Sequence, residues 1–121
     1  MKLRCLAAAI VLLAASPIWA HNPKSAHGGR IVGAGPFHAE LVVKDKAVEI
    51  FLRGHDDKPI HPKGFKGVAI LNVGGKAERI TLAPSEGEAL TGTATAALPE
   101  NPKGAVQLTA PDGTTATAKF D

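Results

Sequence analysis

The sequence predicts an all-β fold for residues 30–121: a small antiparallel β-sandwich of seven or eight strands, either Ig-like or an open barrel, following a signal peptide helix. Short apolar runs alternate with turn residues about every 8 to 12 positions, which is typical of such folds. No run beyond residue 20 has the period of an amphipathic helix. The prolines lie between the apolar runs, where the missing N–H removes no ladder hydrogen bond, at Pro59, Pro62, Pro84, Pro99 and Pro102.

The first predicted hairpin runs from His38 to Arg53 and turns at Asp45-Lys46. Because side chains alternate along a strand, one register places every apolar partner on one face. That register pairs Val43 with Val48, Leu41 with Ile50, and Ala39 with Leu52. The opposite face then carries His38, Glu40, Glu49, Phe51 and Arg53.

Two more hairpins and two single strands complete the predicted sheet. The second hairpin turns at Gly74-Gly75, and we expect a three-residue loop with a bulge because it pairs Ile70 with Ile80 and Val68 with Leu82. The third turns at Pro111-Asp112-Gly113, and its expected register pairs Val106 with Phe120 and Leu108 with Ala118. The single strands are expected at 30–32 and 89–97.

Residues 1–20 have the order of a secretory signal peptide: a basic start, an apolar run from Cys5 to Ala15, and a small residue at Ala20. The apolar run is about 11 residues long, whereas a membrane span needs about 20. We therefore expect cleavage after Ala20, a periplasmic location, no membrane span in the mature chain, and a flexible His-containing arm at 21–29.

The predicted cleavage changes the composition of the chain. It removes Lys2 and Arg4, which leaves 12 of the 14 basic residues against 11 acidic ones and a net charge near +1. The remaining lysines are scattered rather than clustered, so we expect no nucleic-acid partner. The single cysteine, Cys5, is also removed, which excludes a disulfide or a Cys-based metal site in the mature domain.

Residues suited to catalysis are scarce, and the sequence favours a binding protein over an enzyme. Ser25 and Ser85 are the serines that remain after the predicted cleavage, and neither lies in a Gly-x-Ser-x-Gly elbow. The carboxylate pair Asp56-Asp57 is interpreted as a solvated turn, and neither Gly28-Gly29 nor Gly74-Gly75 has the context of a phosphate-binding loop. We therefore predict no catalytic residues.

Histidine is the unusual component, because all five residues lie in the first half of the expected mature chain. Imidazole is a good ligand for Cu(II), Zn(II) and Ni(II). Cleavage after Ala20 would also let His21 chelate a metal through its α-amine and its ring. A hydrogen-bonding or solvated role is the alternative at each position, and the spacing matches no zinc signature. The candidate metal ligands are His21, His27, His38, Glu40, His55 and His61.

The run His27-Gly28-Gly29-Arg30-Ile31-Val32 and the strand Phe37-His38-Ala39-Glu40-Leu41 resemble a small periplasmic β domain. That domain occurs alone and near the N-terminus of periplasmic adaptor subunits of heavy-metal efflux pumps. The resemblance extends loosely over most of the mature chain, although the helical hairpin and barrel modules of a complete adaptor are missing. It implies a role in handling copper, silver, zinc, cobalt or nickel, and it points to His27, His38 and Glu40, and more weakly to His55.

Two functions therefore stand as hypotheses. The first is a periplasmic metal-binding accessory protein, for Cu(II) or another divalent metal, that buffers or delivers metal beside efflux pump components. The second is a non-catalytic envelope interaction module without metal, whose interface includes Phe51 and Arg53. The oligomeric state follows from neither hypothesis.

Overall fold

The computed structural model describes residues 25–121, and these residues form nine antiparallel strands and no helix. The predicted all-β fold is therefore confirmed. The predicted signal peptide, His21 and the first part of the arm lie outside the described residues. No segment of 25–121 is a helix long and apolar enough to cross a membrane. The strands are β1 (Arg30–Ala34), β2 (Phe37–Lys44), β3 (Ala47–Gly54), β4 (Pro59–Ile60), β5 (Lys66–Val73), β6 (Lys76–Pro84), β7 (Ala89–Thr93), β8 (Gly104–Thr109) and β9 (Thr115–Phe120).

The strands form one continuous sheet that nearly closes into a barrel. Their order is β1-β2-β3-β7-β6-β5-β8-β9, and the short β4 pairs with the end of β3. The two outer strands, β1 and β9, pack against each other. Arg30 bridges this seam, because its guanidinium donates to the Pro102 carbonyl and lies 5.4 Å from the centre of the Phe120 ring. Of the two predicted forms, the open barrel describes the sheet.

The core consists of the inward-facing side chains of every long strand, as the alternation of side chains requires. It is built mainly from Leu, Ile, Val and Ala, with Phe120 as its largest fully buried side chain. Phe65, from the loop before β5, belongs to this core and meets Phe37 edge-to-face, with ring centres 5.5 Å apart. The other buried apolar residues include Leu41, Val48, Ile50, Leu52, Leu71, Ile80, Leu82, Leu90, Val106 and Leu108.

The predicted register of the first hairpin is confirmed. Val43 pairs with Val48, Leu41 with Ile50, and Ala39 with Leu52, across a two-residue turn at Asp45-Lys46. The inner face of β2 and β3 is therefore apolar, and the outer face carries the residues from which the candidate site is built.

The predicted registers of the other two hairpins are wrong. Gly74 and Gly75 both have left-handed φ values, 59° and 84°, as a two-residue turn requires. Ile70 consequently pairs with Arg79 and faces outward with 36% of its surface exposed. In the third hairpin, Val106 pairs with Ala118 rather than Phe120, because the loop is limited to three residues, Pro111 to Gly113.

The single strands also differ in length from those predicted. β1 extends to Ala34, and β7 ends at Thr93 rather than at Ala97. β4 was not predicted, because two residues carry no periodic signal. Its pairing with Leu52 and Arg53 places β4 beside the end of β3, within the same sheet.

Candidate functional site

The outer face of β2 and β3 holds most of the candidate residues named from the sequence. Glu40 and His38 lie two residues apart on β2, opposite Phe51 and Arg53 of β3. Two separate groups form on this face. We call the contact of Glu40 with the arm residues His27 and Gly29 the arm latch, and the contact of His38 with His55 the His38–His55 pair.

Glu40 is buried, although it lies on the outer face of the sheet, because the arm folds back over it. Only 1% of its side chain is exposed. Its Oε2 accepts hydrogen bonds from the backbone N–H groups of His27, at 3.0 Å, and Gly29, at 2.8 Å. Its Oε1 lies 3.0 Å from Nδ1 of His27 and 3.8 Å from Nη2 of Arg53. A buried carboxylate needs such partners, since water no longer solvates it.

The electrostatics of Glu40 reflect these partners. Burial alone would raise the pKa of this carboxyl. The hydrogen bonds from the His27 ring, from the N–H of Gly29 and from the N–H of His27 outweigh burial, and they hold its pKa below the ordinary value of 4.5. Glu40 is therefore ionised throughout the neutral range, and the latch is a charge-assisted contact.

The His27 ring is held on two sides. It stacks on Phe51, with ring centres 3.6 Å apart and planes 9° apart, while its Nδ1 faces Glu40. Arg53, 8% exposed, connects Glu40 to Asp57, because its Nη1 donates to Oδ1 of Asp57 at 3.0 Å. Phe51 and Arg53, the predicted interface residues, are thus already engaged by the arm and by the turn after β3.

The glycines of the arm allow its close approach to the sheet. A Cβ at Gly29 would overlap the carbonyl oxygen of Leu41 and would lie 2.8 Å from the side chain of Val42. Gly28, at φ 76°, provides the left-handed bend that lets the N–H groups on either side of it reach the same carboxylate oxygen. The run His27-Gly28-Gly29 is therefore the sequence that the latch requires.

The His38–His55 pair lies at the end of the first hairpin. The ring centres are 5.1 Å apart and the planes are nearly perpendicular, at 79°. Nδ1 of His38 is buried and has no hydrogen-bond partner in the described part of the chain. Nε2 of His55 lies 3.2 Å from the carbonyl of Gly35. A carbonyl only accepts, so the neutral His55 ring carries its proton on Nε2 and its lone pair on Nδ1.

The spacing of this pair fits two imidazoles that share one metal ion. With metal–nitrogen distances of about 2.0–2.1 Å and an angle of roughly 90–110° at the metal, the ring centres would lie about 4.5–5.2 Å apart. Gly33 pairs with His38 across β1 and β2, and a Cβ placed there would meet nothing within 4 Å. The sheet surface at Gly33, next to His38, is therefore open.

The remaining candidates are not part of either group. His61 lies in an exposed loop, where its Nδ1 accepts the N–H of Lys63 at 3.2 Å. Across residues 25–121, no three His, Cys, Asp or Glu side chains converge to form a group that could hold a metal ion. Within that part of the chain, a metal bound by the pair would have two protein nitrogens, and its other positions would be filled by water.

Two features of the site were not predicted from the sequence. Asp57 is exposed in the bend after β3, and it also accepts a hydrogen bond from Arg53, which was not predicted. The Arg-x-x-x-Asp spacing across the turn is the signal that was available. The burial of Glu40 was also missed. The available signal was the Gly28-Gly29 pair, which permits close backbone approach, directly before β1 and 11 positions before the outward-facing Glu40.

Comparisons with models of protein families, with curated protein sequences and with solved structures found no match.

Proposed function

We propose that this chain is an exported metal-binding accessory protein that takes Cu(II) or another divalent metal at the His38–His55 pair. The single observation that carries the proposal is the 5.1 Å spacing of these two rings beside a buried, unpartnered Nδ1 of His38. A buried polar atom without a partner costs free energy, and a bound metal would provide the missing partner. The resemblance to the β domain of efflux-pump adaptors supports the same function.

The atoms of the pair fit this chemistry. The Gly35 carbonyl orients the His55 ring and leaves Nδ1 as the nitrogen with a lone pair. Metal-binding histidines generally donate their other N–H to such a carbonyl or to a carboxylate. His38 would contribute Nδ1, which is already desolvated, so that its binding displaces no water from the nitrogen.

A site with two protein ligands suits buffering or delivery rather than permanent storage. The coordination positions left to water can be filled by a ligand from a receiving protein, and two imidazoles are released more readily than a closed set of four. Efflux pump components in the envelope are the partners that this chemistry and the resemblance favour. No step in this function requires catalysis.

Isothermal titration of the processed protein with Cu(II), Zn(II) and Ni(II) tests the proposal. A His21→Ala background removes the predicted terminal chelate. We expect a dissociation constant below about 10 micromolar, near −7 kcal/mol, for at least one metal. His38→Ala and His55→Ala should each weaken binding at least about tenfold, since each removes half of the protein ligands, at a cost of about 1.4 kcal/mol or more.

His61→Ala is the matched control, because this histidine is exposed and belongs to neither group. It should leave the affinity within about twofold, a difference below about 0.5 kcal/mol. Absence of binding below about 10 micromolar would contradict the metal function. Equal losses from all three alanine variants would contradict the assignment of the site to the pair. If the His38→Ala and His55→Ala variants leave the metal tolerance of cells unchanged but no longer co-purify with an envelope protein, the interaction module is favoured instead.

A further inference from the structure

The sheet has a second outer surface, on the side of the barrel opposite the His38–His55 pair. β2 and β3 are second and third in the order of eight strands, whereas β5 and β8 are sixth and seventh, so the two surfaces lie across the barrel from each other. We call the outward-facing side chains of β5, β6, β8 and β9 the cationic face, because its charged members are Lys66, Arg79 and Lys119. All three are exposed, and none forms an ion pair within residues 25–121.

The cationic face has no carboxylate of its own. The only acidic residue in its four strands is Glu78, which lies on the opposite side of β6 and accepts hydrogen bonds from the N–H and the hydroxyl of Thr95. Asp112 lies in the turn between β8 and β9, and Asp121 follows the end of β9. The positive charge of this face is therefore not compensated by the strands that carry it.

The outward-facing cations of the first hairpin are arranged differently. Lys44 lies 3.4 Å from a carboxylate oxygen of Glu49, and Arg53 lies 3.0 Å from one of Asp57. On the cationic face, such partners are missing from the described part of the chain. Because interfaces pair positive patches with negative ones, this face suits a negatively charged partner.

One row of paired residues places an apolar side chain between two of the cations. The row crosses four neighbouring strands and consists of Lys119, Ala105, Ile70 and Arg79. Within residues 25–121, Ile70 is the one large apolar side chain that is exposed. Neighbouring strands lie about 4.8 Å apart, so the row spans roughly 14 Å. An apolar centre with charged residues at its edge is the usual arrangement of a protein interface.

The next row of the same face offers hydrogen-bonding groups. It consists of Thr117, Gln107, Val68 and Thr81, and all of these except Val68 are exposed. Hydroxyl and amide groups can both donate and accept hydrogen bonds. They can therefore bond to the backbone of a segment that lies along the first row.

The composition of the face favours a protein segment over other anionic partners. The only aromatic residue in its four strands is Phe120, which is buried, whereas proteins that bind single-stranded nucleic acid stack its bases on aromatic side chains. Elements that lie on a membrane bury a broad apolar face, which Ile70 alone does not provide. An extended segment advances about 3.3 Å per residue with alternate side chains on one face, so acidic residues four positions apart span roughly 13 Å.

We propose that the cationic face is a docking surface for an acidic, extended segment of a partner protein. Two carboxylates of that segment lie on Arg79 and Lys119, and an apolar side chain between them lies on Ile70. This inference goes beyond the proposed metal function and does not rest on it. Because the face lies opposite the His38–His55 pair, a docked partner leaves the pair open.

Peptide selection tests the chemistry of the partner. A phage-displayed library of random peptides is selected against the processed protein at low salt, and we expect the recovered peptides to carry an apolar residue between two carboxylates. Their affinity should fall at least about tenfold between about 50 mM and about 500 mM salt, because salt screens exposed charges. Recovered peptides without an acidic bias, or no peptide with a dissociation constant below about 1 mM, would overturn the proposal.

Charge reversal tests the location of the surface. Arg79→Glu/Lys119→Glu should weaken binding of the strongest recovered peptide at least about tenfold, because like charges then meet. Lys46→Glu/Lys58→Glu is the matched control, since it makes the same change in net charge at exposed lysines outside the cationic face, and it should stay within about twofold of wild type. Equal losses in the two double variants would show that net charge alone determines binding and would contradict the docking surface.

Ile70→Thr tests the apolar contact. Threonine keeps the β-branched shape that suits a strand, but it replaces a methyl-bearing carbon with a hydroxyl. The affinity for the same peptide should fall by about three- to tenfold, because less apolar surface is buried on docking. An affinity equal to that of wild type would remove Ile70 from the proposed contact.

Two further measurements separate this inference from its alternatives. Tighter binding to phosphatidylglycerol vesicles or to a single-stranded oligonucleotide than to the selected peptides would overturn the assignment of a protein partner. Arg79→Glu/Lys119→Glu should keep the wild-type circular dichroism spectrum and the wild-type Cu(II) titration. A protein that binds acidic peptides but no metal would contradict the metal function alone, whereas one that binds metal but no acidic peptide would contradict this inference alone.

Discussion

Replacing Glu40 with alanine should destabilise the domain far more than replacing Glu49, although both glutamates lie on the outer face of the same hairpin. Glu40 is 1% exposed and accepts two backbone N–H bonds and one ring contact. Glu49 is 25% exposed, and its Lys44 partner, at 3.4 Å, is 74% exposed. The two variants therefore separate a buried, fully partnered carboxylate from a surface ion pair.

The loss of stability in each variant follows from the contacts that the substitution removes. Glu40→Ala abolishes three contacts to a charged acceptor, each worth about 1.5–3 kcal/mol. The freed arm can be rehydrated, which recovers part of that loss, so we expect about 3 kcal/mol, at the lower end of the range for breaking a buried pair. Glu49→Ala should cost below about 1 kcal/mol, as exposed ion pairs do.

Urea and thermal denaturation at pH 7, each followed by circular dichroism, measure both losses of stability. For a domain of this size, a loss of 3 kcal/mol lowers Tm by roughly 12–24 °C, because each kcal/mol corresponds to about 4–8 °C. Amide exchange at Gly29 should accelerate in Glu40→Ala and stay unchanged in Glu49→Ala. Stabilities of the two variants within about 0.5 kcal/mol of each other would refute the latch.

Three further predictions concern the latch and the sheet. The stability difference between wild type and Glu40→Ala should be full above about pH 4.5 and should disappear as the pH falls through the lowered pKa of Glu40, in denaturation measured from pH 7 to 2. Gly29→Ala should release the arm and cost about 2 kcal/mol, whereas Gly33→Ala, with open space at its Cβ, should be neutral or slightly stabilising by urea denaturation. Ile80→Ala should lower the free energy of unfolding by about 2–5 kcal/mol and Ile70→Ala by less than about 1 kcal/mol. Equal losses would instead support the register that pairs Ile70 with Ile80.

The sequence predicted those parts of the fold that depend on local alternation. The first hairpin was correct because its turn has two residues and its apolar partners match in only one register. The predicted register of the third hairpin was displaced by two residues. Such a shift keeps every side chain on its predicted face, so the alternation of apolar and polar residues cannot detect it. In the second hairpin, the attraction of pairing Ile70 with Ile80 was outweighed by the geometry of Gly74-Gly75.

The site was less predictable, because it depends on contacts between segments far apart in the chain. His38 and His55 were both named as candidate metal ligands, but the alternation of side chains says nothing about the 5.1 Å between their ring centres. Glu40 was named as a ligand because it carries a carboxylate. Its burial follows from the arm folding back from 13 residues away, which no periodic pattern encodes.

Pulsed EPR of the protein with one equivalent of Cu(II), in the His21→Ala background, tests the central claim most directly, because it counts the imidazoles bound to the metal. The His38–His55 pair predicts two equatorial imidazoles, falling to one in His38→Ala and in His55→Ala, with no change in His61→Ala. The same count in the wild-type, His38→Ala and His55→Ala proteins would contradict the claim that this pair binds the metal.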